Sequence, residues 1–158
     1  MIILNIQNFL ERNLKDNNIN RKAFALESGI PYSTITHIIK GFNNNPSIIT
    51  IIKIADFFNC SIDEVLGRES IYYGVHNYNL IVNQEIINLN IKNFLLVKLQ
   101  EQNINIHKLS IELGFSYNSL YNFVHRKVSR KVMNSDMILK ISNYFNVSID
   151  RMIGRVAA

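Results

Sequence analysis

Residues 18 to 41 read NINRKAFALESGIPYSTITHIIKG, and the rest of the chain is arranged around them. Their apolar spacing predicts two short helices about a tight turn. Ala25, Gly29 and Ile35 are the skeleton of that unit. Ala25 is small, so a second helix can cross close over it. Gly29 can take the positive φ of a sharp turn. Ile35 points back into the core, and Pro31 suits a first helical position. The second helix then exposes Tyr32, Ser33, Thr36 and His37 on one side.

Working outward, Ile6, Phe9, Leu10 and Leu14 recur at helical spacing and predict a helix over about residues 4–17, ended by Asn17-Asn18. Asn20 can cap the next helix, with Ala23, Phe24, Ala25 and Leu26 facing inward. The third runs from about Pro31 to Lys40, burying Ile35, Ile38 and Ile39, and Gly41 can stop it. Ser47 caps a fourth, whose buried face is Ile51, Ile52, Ile54, Ala55 and Phe58. Ser61-x-x-Glu64 is a capping-box pattern for a short fifth, with Val65 and Leu66 inward.

This pattern recurs. Ser110, Gly114 and Leu120 repeat the spacing of Ala25, Gly29 and Ile35 after 85 residues. In that register, residues 4–42 and 89–127 share 13 identities in 39 positions. After a two-residue insertion the register becomes 87, and residues 47–68 and 134–155 share 10 in 22. Chance does not supply such agreement in one register, so the sequence contains a duplicated unit. The expected architecture is all-α: two tandem five-helix domains, residues 1–68 and 89–158, joined by an ordered linker over 69–88.

The linker carries Glu69 and Glu85 and no lysine or arginine. Ile71-Tyr72-Tyr73-Gly74 and Tyr78-x-Leu80-Ile81-Val82 are too apolar for a disordered segment, so it is expected to pack on one or both copies. Its Val82 to Ile87 end can extend the following helix. In the second copy, Leu96 and Val97 stand where the first has Glu11 and Arg12. That wider apolar stripe is expected to be buried against the linker or another chain. The second exposed helix is expected over Ser116 to His125, with Tyr117, Asn118, Tyr121 and Asn122 outward and Leu120, Phe123 and Val124 inward.

Composition narrows the function. The chain has a net charge of +5 and a pI near 9.4, favouring an anionic partner. Residues 1–68 carry 7 basic and 6 acidic side chains, whereas 89–158 carry 10 and 4. Four of those ten, Arg126, Lys127, Arg130 and Lys131, sit together just past the second exposed helix. One cysteine, Cys60, permits no internal disulfide, and the four histidines make no metal-ligand spacing. No glycine-rich phosphate loop, nucleophile–base pairing or functional carboxylate pair is visible, so neither an enzyme nor a cofactor is expected. No targeting segment or membrane-length apolar run is seen, which leads us to expect a cytoplasmic protein. Asparagine and isoleucine are abundant, and codon bias in an AT-rich genome is a sufficient source.

The five-helix order and the residues Phe24, Ala25, Gly29, Ile30, Ser33, Thr34, Ile35, Gly41, Pro46, Ile54, Ala55 and Ser61-Ile62-Asp63-Glu64 closely resemble the phage-repressor (Cro-like, XRE) helix-turn-helix family. The resemblance spans a full copy and returns in the second. It implies a sequence-specific regulator of transcription, expected to be a repressor, that binds double-stranded DNA and reads its major groove with one or both exposed helices. Tyr32, Ser33, Thr36 and His37 would face base edges, as would Tyr117, Asn118, Tyr121 and Asn122. Arg21 and Lys40 would touch phosphates, and the basic loop of Arg126, Lys127, Arg130 and Lys131 would add to them. The loop departs from the family: Arg126 replaces the usual glycine, and no proline follows. The alternative is an antitoxin-like or adaptor protein. One copy would then bind DNA, and the linker and first helix of the second would hold a homodimer or protein partner.

Overall fold

A computed structural model describes residues 2–43, 45–68, 77–126 and 132–156, with side chains from residue 5 onward. The described residues form ten helices and no strand. The first five are α1 (Ile2–Asp16), α2 (Arg21–Ser28), α3 (Tyr32–Ile39), α4 (Ile48–Phe57) and α5 (Ile62–Val65). The last five are α6 (Gln84–Glu101), α7 (Ile106–Glu112), α8 (Ser119–His125), α9 (Ser135–Phe145) and α10 (Ile149–Ile153).

Most boundaries follow from capping chemistry. Asn20 Oδ1 accepts from the Ala23 amide at 2.8 Å, Ser47 Oγ from Thr50 and Ser61 Oγ from Glu64. Asn83, Asn105, Asn134 and Ser148 do the same for α6, α7, α9 and α10. Each such cap satisfies amides that the helix itself leaves open, worth about 1 kcal/mol. Asn18, Asn59, Asn103 and Asn146 all take the left-handed conformation, with φ of 52°, 49°, 52° and 51°. They sit at matched turns of the two sets, and asparagine is the residue besides glycine that tolerates that geometry best.

The core of the first set gathers Ile6, Leu10, Phe24, Ile35, Ile38, Ile51, Ile52 and Val65, all fully buried. Phe24 meets Phe57 edge-on at 4.9 Å. Ile91, Leu95, Leu109, Leu120, Ile138 and Ile141 fill the equivalent space in the second set. Two side-chain clamps recur as well. Asn5 Nδ2 donates to the Leu66 carbonyl at 2.7 Å, and Asn90 Nδ2 to Ile153 at 2.8 Å. Each ties the first helix of its set to the last.

The Asn90 clamp leaves no room beside Gly154. A Cβ there would lie 2.6 Å from Asn90 Nδ2, at a φ of +87°. Gly29 has a similar φ of +73° but open space around it. Gly154→Ala is therefore expected to cost about 2–3 kcal/mol and Gly29→Ala only about 1, the backbone strain alone. Urea unfolding midpoints of the two variants check the ordering.

Several expectations need correction. Leu26 is 86% exposed rather than inward, because α2 turns its Phe24 side to the core. Leu96 and Val97 are exposed at 43% and 52%, so no described residue covers the added stripe. The helix expected from Ser116 begins at Ser119, after a turn at Tyr117 and Asn118. Pro31 caps α3 rather than opening it. Within the expected linker, Ile71 to Gly74 lie outside the described residues. Of residues 77–88, Leu80 and Val82 are exposed rather than packed, whereas Ile81 packs on the core, Asn79 N donates to the Arg155 carbonyl at 2.8 Å, and α6 already starts at Gln84.

The two sets of helices meet through α5 and α10. Both oxygens of Asp150 accept from the Ile62 amide, at 3.2 and 3.0 Å. On the matched side, the nearby Ile149 amide lowers the pKa of the Asp63 carboxyl. It does not match the Asp150 contact, since buried Asp63 Oδ2 has no hydrogen-bond partner among the described residues. Each carboxylate also holds an arginine of its own set: Asp63 binds Arg68 at 2.8 Å, and Asp150 binds Arg155. Burial pushes both carboxyls upward, Asp63 to about 6, while the two guanidiniums pull the other way. Both arginines reach across. Arg155 Nη2 donates to the Cys60 carbonyl at 3.2 Å. Arg68 Nη1 donates to Ser142 Oγ at 2.8 Å, and that hydroxyl donates to the Val147 carbonyl. Arg155 is fully buried, its guanidinium 4.4 Å from the centre of the Tyr78 ring.

Candidate nucleic-acid interface

The candidate surface begins at the turn between α2 and α3. Gly29 lies in the left-handed region, its amide bonded to the Ala25 carbonyl at 3.1 Å. Buried Ile30 pins the turn to the core, and Lys53 Nζ reaches the Gly29 carbonyl at 3.4 Å. Ile35, Ile38 and Ile39 anchor the inner side of α3. Its outer side is left to Tyr32, Ser33 and His37, all exposed, with exposed Lys40 at its end. Arg21 is half-buried at the start of α2.

Thr36 departs from the expected arrangement. It is half-buried, and its Oγ1 is closed off from solvent with no hydrogen-bond partner among the described residues. The hydroxyl therefore does not face outward beside Ser33, although the spacing places it near that face. His37 lies 6.3 Å from exposed Phe42, which follows the turn at Gly41.

The α7–α8 unit is built differently. Buried Ser110 stands at the crossing, and its Oγ accepts from the Leu120 amide at 3.1 Å. A hydroxyl thus caps the first turn of α8 across the helix pair, a bond that Ala25 cannot make for α3. Tyr117, Asn118, Tyr121 and Asn122 are all exposed. The two tyrosines are not independent: Tyr117 stacks on His107 at 4.4 Å, and His107 on Tyr121 at 5.1 Å. Tyr121 then lies 4.1 Å from His125. His107 Nδ1 is 3.1 Å from the Tyr117 carbonyl, fixing the ring. The outer side of α8 is therefore an aromatic ladder reaching onto α7, with Asn118 and Asn122 beside it.

His107 was not anticipated by the helix pattern. Its signal is positional, since it occupies the place of Lys22 in the first copy and precedes Tyr117 by ten residues. Arg126 is exposed in extended backbone at the end of α8. Lys127, Arg130 and Lys131 lie outside the described residues. Among those described, no cluster of His, Cys, Asp or Glu could hold a metal ion, and no helix is long and apolar enough to cross a membrane. Burial pushes the Cys60 thiol up to about 12, so it stays protonated.

A helix-turn-helix family model matches residues 10–65, which contain the α2–Gly29–α3 unit. The uncharacterized HTH-type transcriptional regulator RP766 of Rickettsia prowazekii (strain Madrid E) is 44% identical over 75 residues, covering 46% of this chain and 76% of the relative. The chain belongs to the helix-turn-helix family of transcriptional regulators. A second such regulator, the uncharacterized RC1195 of Rickettsia conorii (strain ATCC VR-613 / Malish 7), is 45% identical over 67 residues, 40% of this chain and 62% of that protein. No solved structure matches significantly. For this family member, the turn at Gly29 and the whole of α3 lie within the matched residues.

Proposed function

We propose that this regulator represses transcription by binding duplex DNA in a sequence-specific way, using two tandem helix-turn-helix domains, residues 1–68 and 89–158. The observation that carries the reading is α3: a helix held on its inner side by three buried isoleucines, with an exposed polar outer side. A rod of that width fits the major groove, where each base pair shows a distinct pattern of donors and acceptors. Tyr32, Ser33 and His37 are the base readers on α3. Asn118 and Asn122 flank the aromatic ladder on α8, and asparagine can pair with adenine through two hydrogen bonds. Arg21, Lys40 and Arg126 position the duplex through its phosphates. Such a protein works in the cytoplasm beside its DNA and needs neither catalysis nor a cofactor.

Base readers and phosphate binders fail differently. Ser33→Ala with His37→Ala should change which sequence is preferred, each lost base contact being worth about 1–3 kcal/mol of discrimination. Site selection from random duplex DNA measures this. An equal loss on every sequence would count against base reading by α3.

The exposed stripe of Ile86, Leu89, Leu96 and Val97 on α6 favours a second reading. In it, the last five helices serve a protein partner, as in an antitoxin, and α3 alone reads DNA. Footprints distinguish the two: a single half-site per chain fits the second reading only.

A further inference from the structure

We infer that the two sets of five helices are related by an approximate internal two-fold axis, so that a single chain reads an inverted repeat whose halves are unlike. The inference rests on the DNA-reading proposal above and adds the symmetry of the target.

The evidence is the reciprocity of the contacts between α5 and α10. A two-fold interface uses the same patch on both sides, so a contact from residue i to residue j returns from j to i. Stacking by simple translation gives unlike patches and no return contact. Asp150 accepts from the Ile62 amide across the joint, and on the matched side the nearby Ile149 amide lowers the pKa of Asp63. Asp63 and Asp150 are matched positions, as are Ile62 and Ile149. The arginines repeat the logic. Arg155 donates to the Cys60 carbonyl, and Arg68 reaches the Val147 carbonyl through the Ser142 hydroxyl. Arg68 matches Arg155 and Cys60 matches Val147, again in the register of 87. The exchanged arginine contacts, with the matched placement of Asp63 and Asp150 at the joint, carry the relation.

The same axis relates α3 to α8, because each holds the same place in its set. A body with a two-fold axis that lays both rods on one duplex does so about a dyad of the DNA, and its half-sites then run in opposite directions. The rods are unlike, however. α3 offers Tyr32, Ser33 and His37, whereas α8 offers a ladder through His107 and Tyr121 with Asn122 beside it. The inverted repeat is therefore imperfect, and the chain sits on it in one orientation. The α5 and α10 surfaces already occupy each other, so one chain suffices for one site.

The test uses the full chain and duplexes selected from random DNA. The selected sites should contain two half-sites in inverted order, with centres about one helical turn apart. One chain should bind per duplex by native mass spectrometry. Flipping one half-site in place, to give a direct repeat, should weaken binding at least about tenfold. Selection of direct repeats, or two chains sharing one inverted site, would overturn the internal axis while leaving DNA reading intact. Enrichment of no sequence at all would overturn the DNA reading and this inference with it.

Discussion

Asp150→Ala should destabilise the protein by about 3–5 kcal/mol, the loss typical of breaking a buried ion pair from one side. Arg155 is fully buried, and Asp150 is the carboxylate that neutralises it. The variant strands that cation and also removes the acceptor of the Ile62 amide. The Tyr78 ring remains over the guanidinium but cannot replace a carboxylate. Asp136→Ala is the control. Asp136 pairs with Lys140 at 3.2 Å in solvent, and such pairs contribute at most about 1 kcal/mol. Urea unfolding of the three proteins measures the contrast. If both substitutions prove equally mild, the described joint between the two sets of helices is wrong.

The second large effect concerns the basic loop. Replacing Arg126, Lys127, Arg130 and Lys131 together with alanine should weaken binding to all duplexes alike. The reason is electrostatic: each phosphate neutralised by the protein releases condensed counterions. The dependence of log K on log salt should flatten by about 0.9 for every phosphate contact removed. Sequence preference should stay as it was, because phosphates carry no base information. Titrations at several salt concentrations, on a preferred and a random duplex, separate the two quantities. An unchanged slope would exclude these four charges from the interface.

The order of the helices was legible because each has a strong apolar period and a recognisable cap. The turn at Gly29 was legible because its spacing recurs at Gly114. Exposure was harder to read. Leu26 falls next to the inward face of α2 by spacing, yet only tertiary packing decides where a short helix stops being covered. Leu96 and Val97 were expected to be buried because hydrophobicity reports a tendency, not a partner. Thr36 lies close to the outer side of α3 in sequence, but its hydroxyl is closed off.

Asparagine was the largest loss of signal. Its abundance invited a compositional explanation, yet many copies have a defined conformation or bond. Four hold left-handed turns, four cap helices, and Asn5 and Asn90 clamp the ends of their sets together. The joint was equally hidden. Asp63, Arg68, Asp150 and Arg155 stand in the most strongly repeated part of the sequence. Their repetition read as the family pattern of the last helix, which does not separate a charge kept for the fold from one kept for an interface. The aromatic ladder left only the positional signal of His107, since it depends on His107 and Tyr121 meeting across two helices.

The α5–α10 joint also bears on how such a regulator responds to its own abundance. A protein that must find a second molecule before gripping its target loses that grip steeply when copies become scarce. If both sets of helices read DNA as proposed, that encounter would be built into one polypeptide, its effective concentration set by the chain between them. Target occupancy would then follow a simple hyperbola with a Hill coefficient near one, and a few molecules per cell would remain as competent, molecule for molecule, as many.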